Sequence, residues 1–255
     1  MEKYDDIIKS YRMIYDHHTH TTYSHGKGSI EDNVRAAAAK GLRSIAITDH
    51  GPGHMTYGLD RSRLPEMRAQ IQRLRGIYTE LEILLGVEAN TVRKEPYLDV
   101  TAAERPEYDI LLAGYHYGIR NAGMLANYVY KHAGMFRSES SSLRVANTAM
   151  ILDALYFNEE AGNHIDILTH PGDKGPFDIE DITKACADTG TLIEINDKHE
   201  HLTVEEIRIA ASYDVRFVIG SDAHIPEKVG SFEGPLRRAL EAGLEPERIV
   251  NIEKK

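Results

Sequence analysis

The stretch Met13-Ile-Tyr-Asp16-His-His-Thr-His20 joins a short apolar segment to a run with three histidines. The apolar part is typical of a β-strand, and the histidines then stand at its carboxyl end. Alternate side chains of an extended segment share a face, so His18 and His20 can point at the same ion while Thr19 faces away. This stretch therefore predicts a strand that ends in a metal-binding pair.

The same order, an apolar run followed by an amphipathic helical pattern, recurs along the chain and indicates parallel βα units. The predicted strands are 13–15, 44–48, 82–87, 110–113, 165–168, 191–195 and 216–219. The predicted helices are 30–40, 63–78, 143–160, 179–189, 204–212 and 235–242. Ser29 has the position of an N-cap, and Thr203 and Glu206 have the spacing of a capping box. The sequence predicts an α/β fold with enough strands to close a barrel.

Length and composition indicate one domain. The chain has 255 residues, 42% of them hydrophobic, and a barrel or doubly wound α/β domain commonly uses that length as one unit. No low-complexity tract or linker interrupts the alternation, so we predict a single domain over residues 1–255. There is no apolar run of about 18 residues and no signal-peptide pattern, so we expect a cytoplasmic protein that does not interact with membranes.

Charge disfavours nucleic acid as a bulk partner. The formal net charge is -10, whereas a surface that binds the phosphate backbone needs clustered Lys and Arg. Between residues 117 and 144, however, basic residues outnumber the single acid, Glu139. These basic residues are Arg120, Lys131, Arg137 and Arg144. A local cationic patch on an acidic protein suits a small anionic substrate.

Histidines and acidic residues fall repeatedly at the carboxyl ends of the predicted strands, where (β/α) barrels build their sites. They are His18, His20, His50, Glu88, His116, His170, Asp222 and His224. Because parallel strands point the same way, we expect these side chains to meet in one ring above the core. The single cysteine, Cys186, excludes a thiolate cluster, so the ring predicts an imidazole and carboxylate site for zinc, manganese or iron.

The other histidines lack this placement. We predict mainly surface positions for His17, His132, His164, His199 and His201. His54 follows closely after His50 and is a candidate substrate contact.

The order of these motifs over nearly the whole chain resembles the polymerase and histidinol phosphatase (PHP) superfamily. The motifs are Asp16-x-His18-x-His20, Ser24-His-Gly26, Thr48-Asp-His50, Gly86-x-Glu88, His116, His170-Pro171 and Ser221-Asp-Ala-His224. The resemblance implies a distorted (β/α)7 barrel, similar to a TIM barrel, with two or three divalent ions. Asp16 and Asp49 are either outer partners of the neighbouring ligand histidines or caps of strand ends.

The resemblance also implies how the ligands divide. One ion would take His18, His20, Glu88 and Asp222. A second would take His25, His50 and His224. A third would take His116 and His170, with Glu88 bridging to the first.

Such a centre suits hydrolysis of phosphate esters, with a metal-bound water or hydroxide as the nucleophile. We predict a phosphatase for a small phosphomonoester, such as histidinol phosphate, a sugar phosphate or a nucleotide, with Arg120, Arg137, Arg144 and His54 as candidate substrate-binding residues. The alternatives are a phosphodiesterase or exonuclease, a phosphotyrosine phosphatase, an amidohydrolase-like enzyme and a metal-binding module without turnover. The oligomeric state stays open.

Overall fold

The computed structural model describes residues 2–119, 127–128 and 141–255, without the side chains of residues 2 and 141. Seven strands form one parallel sheet whose order follows the sequence. With β1 (Tyr11–Met13) outside it, this sheet contains β2 (Tyr15–Asp16), β3 (Ser44–Ile47), β4 (Glu82–Asn90), β5 (Ile110–Gly114), β6 (Ile167–Leu168), β7 (Leu192–Asn196) and β8 (Phe217–Gly220). A parallel bridge between Thr19 and Ala223 connects its two edges. The predicted distorted (β/α)7 barrel is confirmed.

Helices cover the outside of the barrel. They are α1 (Asp5–Lys9), α2 (Ile30–Ala39), α3 (Leu64–Arg75), α4 (Ser141–Glu160), α5 (Ile179–Thr189), α6 (Val204–Ala211) and α7 (Glu233–Ala242). Capping boxes begin two of them, Ser29 with Asp32 at α2 and Thr203 with Glu206 at α6. Among the helices described, none combines the length and apolarity that a membrane crossing requires.

The first predicted strand is in fact two strands, and this part of the prediction is wrong. β1 pairs antiparallel with β9 (Ile252–Lys254) in a separate two-stranded sheet, and only β2 joins the barrel. The buried Asn251 side chain donates to the carbonyl oxygens of Tyr15 (2.9 Å) and Ile219 (2.7 Å). It also accepts the Ile219 N–H at 2.9 Å. Asn251 thereby joins the first and last barrel strands where direct pairing is missing.

The interior of the barrel changes character from bottom to top. Side chains alternate along a strand, so every second residue faces inward. At the bottom a small apolar cluster fills the space, separate from the larger core under the helices. Its buried members are Ala46, Ile110, Leu112, Ile167 and Val218.

Glycines occupy the next inward layer. Two residues beyond Leu84, Leu112 and Val218 stand Gly86, Gly114 and Gly220, and two residues further stand Glu88, His116 and Asp222. A Cβ at Gly114 would meet the Glu88 Oε1 atom at 3.1 Å, and one at Gly220 would overlap the carboxylate of Glu194. Gly114 and Gly220 therefore leave room for buried acids above this apolar cluster, the floor of the barrel, whereas a Cβ at Gly86 would meet Ile110 and Thr48.

Replacing Leu112 by Ala removes a fully buried side chain from this floor and should lower the free energy of unfolding by about 2–5 kcal/mol. Ile209→Ala is the control, because Ile209 lies on α6 and is 40% exposed, and it should change stability by no more than about 0.5 kcal/mol. Urea unfolding followed by circular dichroism measures both. Equal losses in the two variants would mean that the floor does not support the barrel.

Candidate metal centre

The carboxylate of Glu88 is the hub of the cluster at the carboxyl ends of the strands. Glu88 is 0% exposed, and five imidazoles from the ends of four strands surround it. Around Oε1 lie His170 Nε2 (3.0 Å), His116 Nε2 (3.3 Å) and His18 Nε2 (3.4 Å), and around Oε2 lie His50 Nδ1 (2.9 Å) and His20 Nε2 (3.6 Å). Residues from distant parts of the sequence thus converge on one carboxylate.

The residues after β8 complete the ring. Asp222 Oδ1 lies 3.2 Å from His20 Nε2 and 3.8 Å from His18 Nε2. The rings of His224 and His20 have centroids 4.4 Å apart. His25 reaches the same place from the loop after β2, with its ring 4.1 Å from that of His224. Unlike the others, His25 is exposed, so it stands at the outer rim of the cluster.

The ligand atoms form four overlapping groups, each small enough to hold a cation. Within each group the atoms lie no more than 4.8 Å from one another. The groups are His20, His50 and His224; His18, His20 and Glu88; His18, His170 and Asp222; and His50, Glu88 and His116. Every residue of the predicted ring belongs to at least one group. His25 belongs to none of them, although it adjoins the first.

Several buried atoms of the ring have no hydrogen-bond partner among the described residues. They are His20 Nδ1, both ring nitrogens of His50, His116 Nε2, Glu88 Oε2 and Asp222 Oδ1. His50 Nδ1 and Glu88 Oε2 are only 2.9 Å apart, yet their orientation does not make a hydrogen bond. Leaving buried polar atoms unpaired is costly, whereas ligands of a shared cation converge in just this way. The imidazole and carboxylate set fits zinc, manganese or iron.

The two histidines that follow β2, His18 and His20, differ in the direction in which their pKa values are shifted. Burial lowers the pKa of His20 to about 3, so its ring is neutral and can donate a lone pair. Burial acts in the same direction on His18, but the carboxylates of Glu194, Glu88 and Asp222 outweigh it and raise the pKa of His18 well above its ordinary value. These three acids therefore favour the protonated form of His18.

Two partners that orient ligand imidazoles were not predicted in that role. Glu194 Oε1 lies 2.6 Å from His18 Nδ1, and Asn90 Oδ1 lies 2.8 Å from His116 Nδ1. Such contacts fix the ring and turn the other nitrogen toward a cation. Both residues have inward positions on their strands, Asn90 two residues after Glu88, and this parity is the signal that could have identified them.

Asp16 and Asp49 act on the backbone and hydroxyl groups beside the ligands. Asp16 accepts from the Ser221 hydroxyl at 2.5 Å and from the Gly230 N–H at 2.8 Å. Asp49 accepts from the hydroxyl groups of Thr21 (2.6 Å) and Ser24 (2.5 Å). These contacts match the strand-end interpretation, in which each acid fixes the loop that carries ligand histidines.

His199 corrects the sequence prediction of a surface position. Its side chain is 18% exposed and lies between two acids, with Nδ1 3.2 Å from Asp173 Oδ2 and Nε2 3.3 Å from Asp222 Oδ2. Its ring lies 5.0 Å from that of His170. His199 follows a strand end by three residues, so strand-end placement alone did not select it.

The other histidines predicted at the surface lie outside the ring. His17 is half-buried, with its ring stacked on Tyr15, whereas His164 and His201 are partly exposed. His132 lies outside the described residues.

The structure describes only two of the four residues that the sequence predicts to bind substrate. Arg120 and Arg137 lie outside the described residues, and Arg144 is half-buried near the beginning of α4. His54 is buried, with its ring stacked on Tyr57 at 3.5 Å and 6.3 Å from the ring of His50. A role in substrate binding stays a prediction for all four.

A seven-stranded (β/α) barrel that gathers imidazoles and carboxylates at the carboxyl ends of its strands is the architecture of a barrel metallohydrolase. A family model described as the PHP domain matches residues 16–198. The chain therefore belongs to the PHP domain family, as the motifs predict.

Named relatives extend this identification. A probable phosphatase of Thermoanaerobacter sp. (strain X514) is 30% identical over 257 residues, which cover 95% of this chain and 91% of the relative. A probable phosphatase of Caldanaerobacter subterraneus is 30% identical over 255 residues, which cover 94% and 87%. With the family, these relatives confirm the prediction of an enzyme of the phosphatase class.

The fold has a counterpart among solved structures. A histidinol phosphate phosphatase from Lactococcus lactis, complexed with zinc, L-histidinol and phosphate, superposes with a TM-score of 0.58 and 17% identity. The match covers 91% of this chain and 95% of that one. At this identity the likeness is one of fold.

Gly220→Ala tests whether the glycine layer holds the ring in place. The added Cβ would overlap Glu194 Oε1 and approach the Cβ of His18 at 3.1 Å, so Glu194 has to leave His18. We expect a loss of about 1–3 kcal/mol in stability and a lower metal content after dialysis. Gly76→Ala is the control, because a Cβ there would meet only the Arg73 carbonyl at 3.4 Å. Wild-type metal content in Gly220→Ala would show that Glu194 does not position His18.

Proposed function

We propose that this chain is a metal-dependent phosphatase that hydrolyses small phosphomonoesters. The observation that carries the proposal is the ring around Glu88, in which buried imidazole and carboxylate atoms converge without hydrogen-bond partners among the described residues. When bound, divalent cations would supply neutralisation of phosphate charge and activation of a water molecule for attack on phosphorus. The residues His18, His20, His50, Glu88, His116, His170, Asp222 and His224 would hold these cations, with His25 at the rim.

The burial of the ring supports a small substrate. The ligands around Glu88 are at most 4% exposed, whereas His224 has 15% of its side chain exposed and His25 is open to solvent. A phosphoryl group would therefore approach from the side of His25 and His224. The role of the protein is to hold the cations at fixed positions, to orient the rings through Glu194 and Asn90, and to exclude bulk water below the ring.

Histidinol phosphate, a sugar phosphate and a nucleotide all remain candidate substrates. The Lactococcus lactis protein of similar fold is named with L-histidinol and phosphate, which favours the first of them. The net charge of -10 supports a small molecule over nucleic acid, and with it the phosphatase over the exonuclease. A cytoplasmic location stays a prediction from the sequence.

A panel of substrates separates this proposal from its alternatives. We expect phosphate release from phosphomonoesters in the presence of zinc or manganese, and little turnover of phosphodiesters, phosphotyrosine peptides or cyclic amides. Excess chelator should abolish release, because the cations carry the phosphate charge and activate water. Turnover that persists in chelator would refute metal dependence, and preferred cleavage of amides or diesters would assign one of the other classes.

His224→Ala tests the outer part of the ring. Loss of a ligand atom from the group of His20, His50 and His224 should lower kcat/KM by about two orders of magnitude or more, since even outer partners of ligands are worth about 10–100-fold. The fold should be retained, because His224 lies outside the apolar core. The control is His164→Ala, since His164 is 39% exposed and its contact is with Glu159. Equal kcat/KM in the two variants would remove His224 from the centre.

A further inference from the structure

The loop between β7 and α6 brings a lysine to the rim of the ring. Lys198 Nζ lies 3.1 Å from both ring nitrogens of His224 and 3.6 Å from Asp222 Oδ1. His224 Nδ1 also lies 2.8 Å from the Asp222 carbonyl oxygen, to which it can only donate, so the remaining lone pair of the ring is on Nε2. The ammonium group therefore stands beside the lone pair of a residue that belongs to the candidate group of His20, His50 and His224. At the same time 40% of the Lys198 side chain is exposed, so it borders both solvent and the ring.

The backbone on both sides of Lys198 is fixed. The His199 N–H donates to Asn196 Oδ1 at 2.8 Å. The guanidinium group of Arg238 donates to the carbonyl oxygens of Asn196 and His199. The His199 ring is held between Asp173 and Asp222. A change in the position of the ammonium group thus requires rotation of the Lys198 side chain alone, without movement of the loop.

A cation bound to His224 and the ammonium group of Lys198 cannot share this place. The imidazole lone pair can serve only one of them, and two positive charges at such a distance repel each other. When the ring holds a cation at His224, Lys198 has to turn away from the ring nitrogens. Its fixed backbone keeps the ammonium group at the rim, on the side where His25 is exposed and the His224 side chain is 15% exposed.

A phosphoryl group would be able to contact both the cation and the ammonium group after this rotation. Oxygen ligands lie about 2.0–2.2 Å from zinc, and an ammonium group donates to anionic oxygen at about 2.7–2.9 Å. Different oxygens of one phosphoryl group can therefore contact a cation and Lys198 at once. The flexible stem and three donors of lysine allow it to follow phosphate as a point charge.

We propose that Lys198 binds the phosphoryl group of the substrate and exchanges its contact with His224 for one with phosphate when the ring is loaded. This inference rests on the proposed function, for which it names the cationic residue that grips the substrate. Lys198 is absent from the basic stretch that the sequence predicts for this role, because it lies in a different loop, directly after Asp197 and two residues before Glu200.

Phosphate binding to the metal-loaded protein tests the proposal directly. Wild type, Lys198→Met, Lys198→Arg and Lys184→Met are loaded with zinc, their metal content is measured, and inorganic phosphate is titrated in by calorimetry. Lys184 is the matched control, since its side chain is 47% exposed and pairs with Glu180 on α5. We expect phosphate affinity to fall about tenfold or more in Lys198→Met, because a hydrogen bond to a charged group is lost. Lys198→Arg should keep most of the affinity, and Lys184→Met all of it.

The results separate the two levels of inference. Wild-type phosphate affinity in Lys198→Met at full metal content would overturn the role of Lys198. If that variant also binds zinc more tightly, Lys198 only competes with the cation for His224. Loss of phosphate affinity together with a raised KM for a phosphomonoester supports it. Failure of wild type to hydrolyse monoesters would sink the proposed function, while the calorimetry still reports on the phosphate contact.

Discussion

A buried carboxylate, that of Glu88, is the constraint on which the rest of the structure depends. A charge without solvent is tolerated only when partners surround it, and here five imidazoles do so from the ends of four strands. Space for it comes in part from Gly114, because a Cβ there would lie 3.1 Å from Glu88 Oε1. An acid can thus stand inside the barrel because an apolar cluster fills the bottom, a layer of glycines lies above it, and polar partners surround the acid at the top.

The sequence predicts those features that follow from the alternation of side chains along a strand. Apolar runs located the barrel strands, and residues at their ends located the ring, since parallel strands bring their carboxyl ends together. The sequence does not predict contacts that depend on how distant segments pack against each other. Asn251 replaces pairing between the barrel's edge strands through its side chain, and no local pattern announces that role. His199 enters the cluster because its loop folds back over Asp222, a path set by Arg238 and Asp173 rather than by alternation.

Strands and loops contribute differently to the centre. Glu88, Glu194 and Asn90 lie on strands, so main-chain pairing fixes their positions. Glu194 orients the ring of His18, and Asn90 orients the ring of His116. The residues at the rim come from loops, which vary in length and side chain without disturbing the barrel. The groups that orient the ring are therefore held by the barrel itself, whereas the histidines of the ring and Asp222 stand just beyond the strand ends.

The position of His18 between carboxylates has a further consequence for how the centre fills. The carboxylates of Glu194, Glu88 and Asp222 raise the pKa of His18, whereas a ligand nitrogen has to lose its proton before it can coordinate a cation. Binding of a cation at His18 would therefore release a proton to the solvent. Protons and cations would compete for this one imidazole, so the fraction of the protein that holds metal would depend on both the pH and the concentration of the metal.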